Sequence, residues 1–545
     1  MYTFSSRLKT FSFILMILGV LGIGYSFFTA PKTVEDVEKI LAAESHHDGH
    51  SGHDAAHHDA ANNASKDAHV HTTQDVHSND AQQKDAVDHA IHDEQDQGEN
   101  ADRHITGTPG RDSLATPAAN EADTPGNAQQ LPAGKSDIAT ANNQDAASAH
   151  HVQDHHSASE AGHAAHGAEA HDAHKEHQEH LEHVLHQLQN KPWAAVYVAA
   201  IFFMLISLGA LAFYAIQYAA QSGWSPILFR VMEGITSYLL PGSILFFILL
   251  VLGVLHVHHL FIWMDPEVVK EDALIQGKSG YLNGTFFLIR AVIFLGGWNL
   301  YRYYSRKNSL ANDEASDITL YKKNFKMSAT FLVFFIVTES IMSWDWIMSV
   351  DPHWYSTLFG WYVFASFFVS GITAIAMITL YLKGKGYLEY VNTSHIHDLA
   401  KFMFGISIFW TYLWFSQFML MWYADIPEEV TYFVTRIEEY NLPFFGMLAM
   451  NFIFPVLILL NTDFKRLSWI VVMAGIVILC GHYIDFFNMI MPATVGDQWF
   501  IGAGEIGAVM FFLGLFIFVV FSALAKAPLM VKHNPYLEES KHFHY

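Results

Sequence analysis

This 545-residue chain contains a single cysteine, Cys480, set inside an apolar run. That excludes a disulfide framework, a CxxCH haem attachment and thiolate-ligated iron–sulfur clusters within the chain. Charge is also scarce, at 15% of residues, and acids outnumber bases by 53 to 30. With no basic stripe and no aromatic-interleaved groove, nucleic acid is not an expected partner. Between residues 31 and 192 aromatic side chains are missing, and the stretch is rich in His, Asp, Ala and Gln. It holds 29 acids against 9 bases, leaving only 3 of the 23 net negative charges to the rest of the chain. The acidity thus describes one solvated segment.

The remainder is overwhelmingly apolar. A helix needs roughly 20 apolar residues to span a bilayer. Ten segments meet that length: 11–29, 193–217, 237–257, 281–301, 327–349, 357–381, 401–424, 442–460, 468–490 and 502–525. The first follows Arg7 and Lys9 like a signal peptide, but Phe28 and Pro31 spoil the cleavage region, so it reads as a retained anchor. If the N-terminus is cytoplasmic, the short inner segments hold seventeen lysines and arginines and the short outer loops three (Lys270, Lys278, Arg436). Lys and Arg accumulate on the inner side, so both termini are expected in the cytoplasm and the acidic segment in the periplasm. The expected fold is an all-α integral membrane protein with about ten spans. Its parts are an anchor (1–30), a disordered insert (31–165), an amphipathic helix (166–192), a nine-helix membrane domain (193–525) and a cytoplasmic tail (526–545).

Twenty-four of the 34 histidines fall between His46 and His186. The first part is low-complexity and reads as a tether. His171, His174, His177, His180, His183 and His186 follow at steps of three, so the stripe wraps around a helix and does not converge on one metal. They are weak metal candidates only. Leu181, Leu185 and Leu188 share one face.

Ionisable groups inside spans are costly and each is a functional candidate. Arg290 and Glu339 lie at comparable depth and are expected to form a structural ion pair. His482 and Asp485 are three apart, on one helix face. Asp345 and Glu505 lie toward the same outer side, as does Gln417. Asp351 and His353 end the fifth span, and His256, His258 and His259 end the third. For the last groups, interfacial anchoring beside Trp263 and Trp354 competes with function. Asp345, His482, Asp485 and Glu505 are expected to line one outer-half pocket or proton route, because carboxyl groups surrounded by hydrocarbon can hold and release protons near neutral pH. Gln417, Asp351, His353 and His259 are further candidates for a proton path or quinone pocket. Ligation of a b-type haem by His482 and His256 is a weaker alternative.

Four motifs in order, "HHLFIWMD", "GKSGYLNGTFFLIRAVIF", "SWDWIMSVDPHWYSTLFGWY" and "APLMVKHNPYLEESKHFH", resemble the second NrfD-like, quinone-binding membrane subunit of bacterial alternative complex III. The likeness covers the anchor and residues 193–545, and excludes the His-rich insert. It implies an NrfD-like fold with two four-helix bundles and two further helices, in the bacterial inner membrane. It implies a respiratory-chain quinol:cytochrome c oxidoreductase, with quinol interaction, a proton path and assembly as the share of such a chain. No cofactor would be covalently bound, though menaquinol and lipids would be at hand. Haems and iron–sulfur clusters would sit on partners: an NrfD-like paralogue, a multihaem cytochrome c, an iron–sulfur protein and a monohaem cytochrome c, with a terminal oxidase nearby. A secondary transporter is the alternative reading.

Overall fold

The computed structural model describes residues 2–51 and 158–544, with side chains over 2–42 and 175–544. Its helices are α1 (Ser6–Thr29), α2 (Val34–Ser51), α3 (Ala158–Ala219), α4 (Phe229–Thr236), α5 (Leu239–Val254), α6 (Pro266–Glu271), α7 (Ala273–Lys278), α8 (Gly284–Asn312) and α9 (Thr319–Trp346). They continue as α10 (Phe359–Gly384), α11 (Thr393–Ala424), α12 (Pro427–Glu438), α13 (Asn441–Leu448), α14 (Phe454–Leu459), α15 (Ser468–Val495), α16 (Ala503–Leu524) and α17 (Leu537–Lys541). No strand occurs among the described residues. Among the described residues ten helical stretches are long and apolar enough to cross a membrane, one at each of the ten expected positions. This is an all-α, multi-pass architecture.

Two spans differ from simple rods. α4 and α5 together make one span, and α13 and α14 are joined by a π-helical turn, Ala449–Ile453, just before Pro455. Proline lacks the N–H of a regular ladder, and the wider turn absorbs that loss.

The spans pack as two sets. In the first, α3 meets α4 through the Ser207 hydroxyl on Ile235 O and meets α9 through the Tyr197 hydroxyl on Trp346 O, while α8 lies against α5 and α9. In the second, α10, α11, α13–α14 and α15 surround one another. The sets meet where α3 crosses α10: a Cβ on Gly209 would lie 2.4 Å from Phe367 O, and one on Gly371 2.6 Å from Ala210 N. Small residues permit this backbone approach. The apolar windows of α3 and α10 are accordingly 94% and 89% buried, against 11% for α1, which packs mainly on α16, with Phe27 on Trp193 of α3. One end of this body carries the lysine- and arginine-rich segments and is called here the basic end; the other is the histidine-bearing end.

Helical structure extends past the boundary expected from composition. Val34–Ser51 is helical, and the remaining insert up to 157 lies outside the described residues. α2 packs Val37 against Leu181 and Val184, with Leu185 and Leu188 at the margin. The amphipathic stretch and the following span are one helix, with Pro192 inside it. The tail is tied down at the basic end: Lys532 N–H donates to Asp313 Oδ1 (2.8 Å) and the Ser540 hydroxyl to Trp224 O (2.6 Å).

Candidate functional site

At the histidine-bearing end of the first set, Arg290 forks onto Asp345. Nε donates to Oδ2 at 2.5 Å and Nη2 to Oδ1 at 3.0 Å. The Tyr281 hydroxyl adds a bond to Oδ1 at 2.7 Å, and the guanidinium lies 4.0 Å from the Tyr281 ring centroid. Asp345 is fully buried, yet its charge is matched and both its oxygens are occupied. Arg290 therefore does not pair with Glu339, as expected from depth. Helical side chains lean toward their own N-terminus. α8 and α9 run antiparallel, so Arg290 leans toward the histidine-bearing end and Glu339 away from it. The two acids exchange roles. Among the described residues Glu339 Oε1 accepts only the Ser340 hydroxyl (2.8 Å), and its Oε2 is buried without a partner.

The second set holds a different centre. His482 and Asp485 project from one face of α15, and both are fully buried. Asp485 Oδ2 accepts from the Ser366 hydroxyl (2.7 Å) and the Trp410 indole N–H (2.8 Å). Its Oδ1 accepts from the Tyr362 hydroxyl. Tyr362 and Ser366 are one turn apart on α10, and Trp410 comes from α11. Ser366 Oγ also lies 2.9 Å from His482 Nδ1, while His482 Nε2 is buried without a partner among the described residues. Among the described residues no lysine or arginine pairs with the carboxyl group.

This geometry supports two proton arrangements on the same heavy atoms. Serine has one hydroxyl hydrogen. If Ser366 donates to an ionised Asp485, His482 Nδ1–H donates to Ser366. If Asp485 is protonated, it donates to Ser366, which donates to Nδ1, and Nε2 carries the imidazole hydrogen. A proton taken up at Nε2 thus reappears on Asp485 by two short transfers, from Nδ1 to Ser366 Oγ and from Ser366 Oγ to Asp485 Oδ2. Toward the basic end, both polar atoms of Asn451 in the π-helical turn, Ser407 Oγ and Thr373 Oγ1 are buried and have no partner among the described residues. Asn451 lies over Gly481, where a Cβ would come 2.1 Å from its Oδ1.

The other expected residues lie apart, so the single pocket of Asp345, His482, Asp485 and Glu505 does not form. Glu505 caps its own helix, Oε2 accepting from Gly502 N–H at 2.8 Å. Gln417 is buried beside Tyr362, Arg436 and Asn488, at the edge of the Asp485 centre. Asp351 lines a surface cleft of ≈450 Å³ with Tyr281 and Trp344. His353 Nε2 is 2.5 Å from Asp272 Oδ2. The Ile275 N–H, and then His353, hold the Asp272 carboxyl below its usual range. His259 Nδ1 is 3.9 Å from Asp265, and its backbone bonds to Asn190. His177, His180, His183 and His186 are described, whereas the side chains of His171 and His174 are not. Among the described residues no three potential ligands converge on a metal position.

Sequence reasoning missed Tyr362, Ser366 and Trp410, which are neutral and common in spans. It also missed Glu233, which Arg230 holds at 2.7 Å while reaching Asp313 at 2.5 Å. The signal was there: an acid three residues after an arginine within apolar "FRVMEGIT". No protein-family model matches this chain, and no curated protein matches it.

Proposed function

We propose that this chain is a proton-handling membrane component of a quinol:cytochrome c oxidoreductase of the alternative complex III type, with the NrfD-like fold. The observation that carries the reading is Asp485: a buried carboxyl group held by neutral donors, joined through Ser366 to an imidazole with an open nitrogen. Quinol oxidation releases protons along with electrons, and a chain without electron carriers of its own can serve the proton side. The basic end then faces the cytoplasm and the insert the periplasm. Glu339, also without a cation, is a second station, and Asn451, Ser407 and Thr373 extend the polar file toward the cytoplasm. Buried polar atoms of this kind are satisfied by ordered water, which also conducts protons.

The test is purification of the tagged chain from its native membrane. Cytochromes of the c type and quinol:cytochrome c activity are expected to co-purify. Asp485→Asn should lower turnover or proton yield per electron while haem content stays unchanged. The π-helical break before Pro455 favours a second reading, a secondary transporter, since such proteins carry broken helices near the midplane. A preparation free of haem-bearing partners would support the transporter instead.

A further inference from the structure

At the basic end, the start of α1 and the end of α10 enclose a cleft of ≈370 Å³. Two cations line it, Arg7 and Lys385, and no carboxylate does. Neither cation has an acid within ion-pairing distance among the described residues. Ser5 caps α1 by accepting Leu8 N–H (3.3 Å), and the first turn of that helix contains no acidic residue. The first backbone N–H groups of a helix lack intrahelical partners, and together with the helix dipole they favour an anion.

The opposing helix end does not cancel that field. The carbonyls of Tyr381, Leu382 and Lys383 are covered by the N–H groups of Lys385, Gly386 and Tyr387. A further group points to a ligand: Tyr2 lines the cleft and is 3% exposed, and its hydroxyl, beside Tyr381 and Tyr387, makes no hydrogen bond of good geometry among the described residues. The ring is held in place by Tyr387, with centroids 5.0 Å apart.

Apolar surface continues from the cleft. Leu8 and Phe11 form its rim, and Phe11, Ile14, Leu18 and Leu21 are all exposed. Their spacing of three, four and three puts them on one face of α1. A small inorganic anion would leave that ridge unused, whereas an acyl chain would follow it.

We infer that this cleft binds the phosphate of an anionic glycerophospholipid, held by Arg7, Lys385 and the first amides of α1, with one acyl chain along the Phe11–Leu21 face. This inference is independent of the redox reading above. α1 packs mainly on α16, and an occupied site adds to the Thr3 and Tyr2 contacts with Tyr387 that join the start of the first span to the end of α10.

The experiment uses the full chain, delipidated in the assembly in which it is extracted. Phosphatidylglycerol, phosphatidylcholine and inorganic phosphate are each titrated against thermal unfolding. Phosphatidylglycerol should raise the midpoint, and the other two should have little effect. Arg7→Gln/Lys385→Gln should weaken the phosphatidylglycerol response about tenfold or more. Equal responses to both lipids, a matching response to phosphate alone, or an unchanged response in the double variant would each overturn the inference. A photoactivatable phosphatidylglycerol gives a check on unaltered protein. Cross-links should map to residues 2–11 and 381–387, and labelling confined to other regions would contradict the site.

Discussion

The two helix sets treat buried acids in opposite ways. In the first, Asp345 is locked to Arg290 and Glu233 to Arg230. In the second, Asp485 has three neutral donors and a histidine as neighbours. A carboxylate paired with an arginine has its charge fixed by the guanidinium, which stays protonated at any working pH. One held by hydroxyls and an indole has no such fixed countercharge. The same residue type is thus paired with a cation in one set and held by neutral donors in the other. Glu339, near the junction of the sets, falls with Asp485 despite belonging to α9.

The largest expected effect lies at the Arg290 pair. Asp345→Asn or Arg290→Gln strands a buried group and should cost about 3–5 kcal/mol of stability. Thermal unfolding and the yield of assembled protein report it, and Arg290→Met/Asp345→Leu should recover much of the loss. A single variant as stable as the parent would erase the distinction between the sets. Next comes their junction. Gly209→Val drives a side chain into Phe367 O and should cost about 1–3 kcal/mol by overpacking. If unfolding were unaffected, the sets would not be rigidly joined there. Asp485→Asn should cost less, about 1 kcal/mol, because it alters hydrogen bonds and strands no cation.

The smallest effect concerns His258, at the histidine-bearing end. Its Nε2 donates to Leu249 O (3.0 Å), and burial pushes its pKa below the usual histidine value. The folded state therefore resists protonation more than the unfolded chain does. The contribution to stability is complete above about pH 6.5 and is lost as pH falls through the folded pKa. His258→Gln should flatten the decline of unfolding temperature below that pH. A slope identical to the parent's would show that other groups set it.

The ten spans were legible because bilayer thickness imposes a length and an apolar composition that any window detects. The shared face of His482 and Asp485 was legible from their spacing alone. Partner choice was not. Depth along the helix suggested Arg290 with Glu339, but the lean of helical side chains separates them and delivers Asp345 to the arginine. The donors around Asp485 were invisible for a different reason: tyrosine, serine and tryptophan occur throughout these spans, and only the fold selects Tyr362, Ser366 and Trp410. Composition marked Pro31 as the start of the polar insert, yet a short amphipathic run was enough for α2 to pack on α3.

Infrared difference spectroscopy of the carboxyl C=O band, recorded while pH is stepped, tests the contrast between the sets most directly. Two buried carboxyl bands, from Asp485 and Glu339, are expected to titrate in the parent, one of which should disappear in Asp485→Asn and the other in Glu339→Gln. Asp345→Asn, where it assembles, should retain both bands. A titrating band lost with Asp345 and kept without Asp485 would contradict the contrast and return the proton chemistry to the arginine-paired acid.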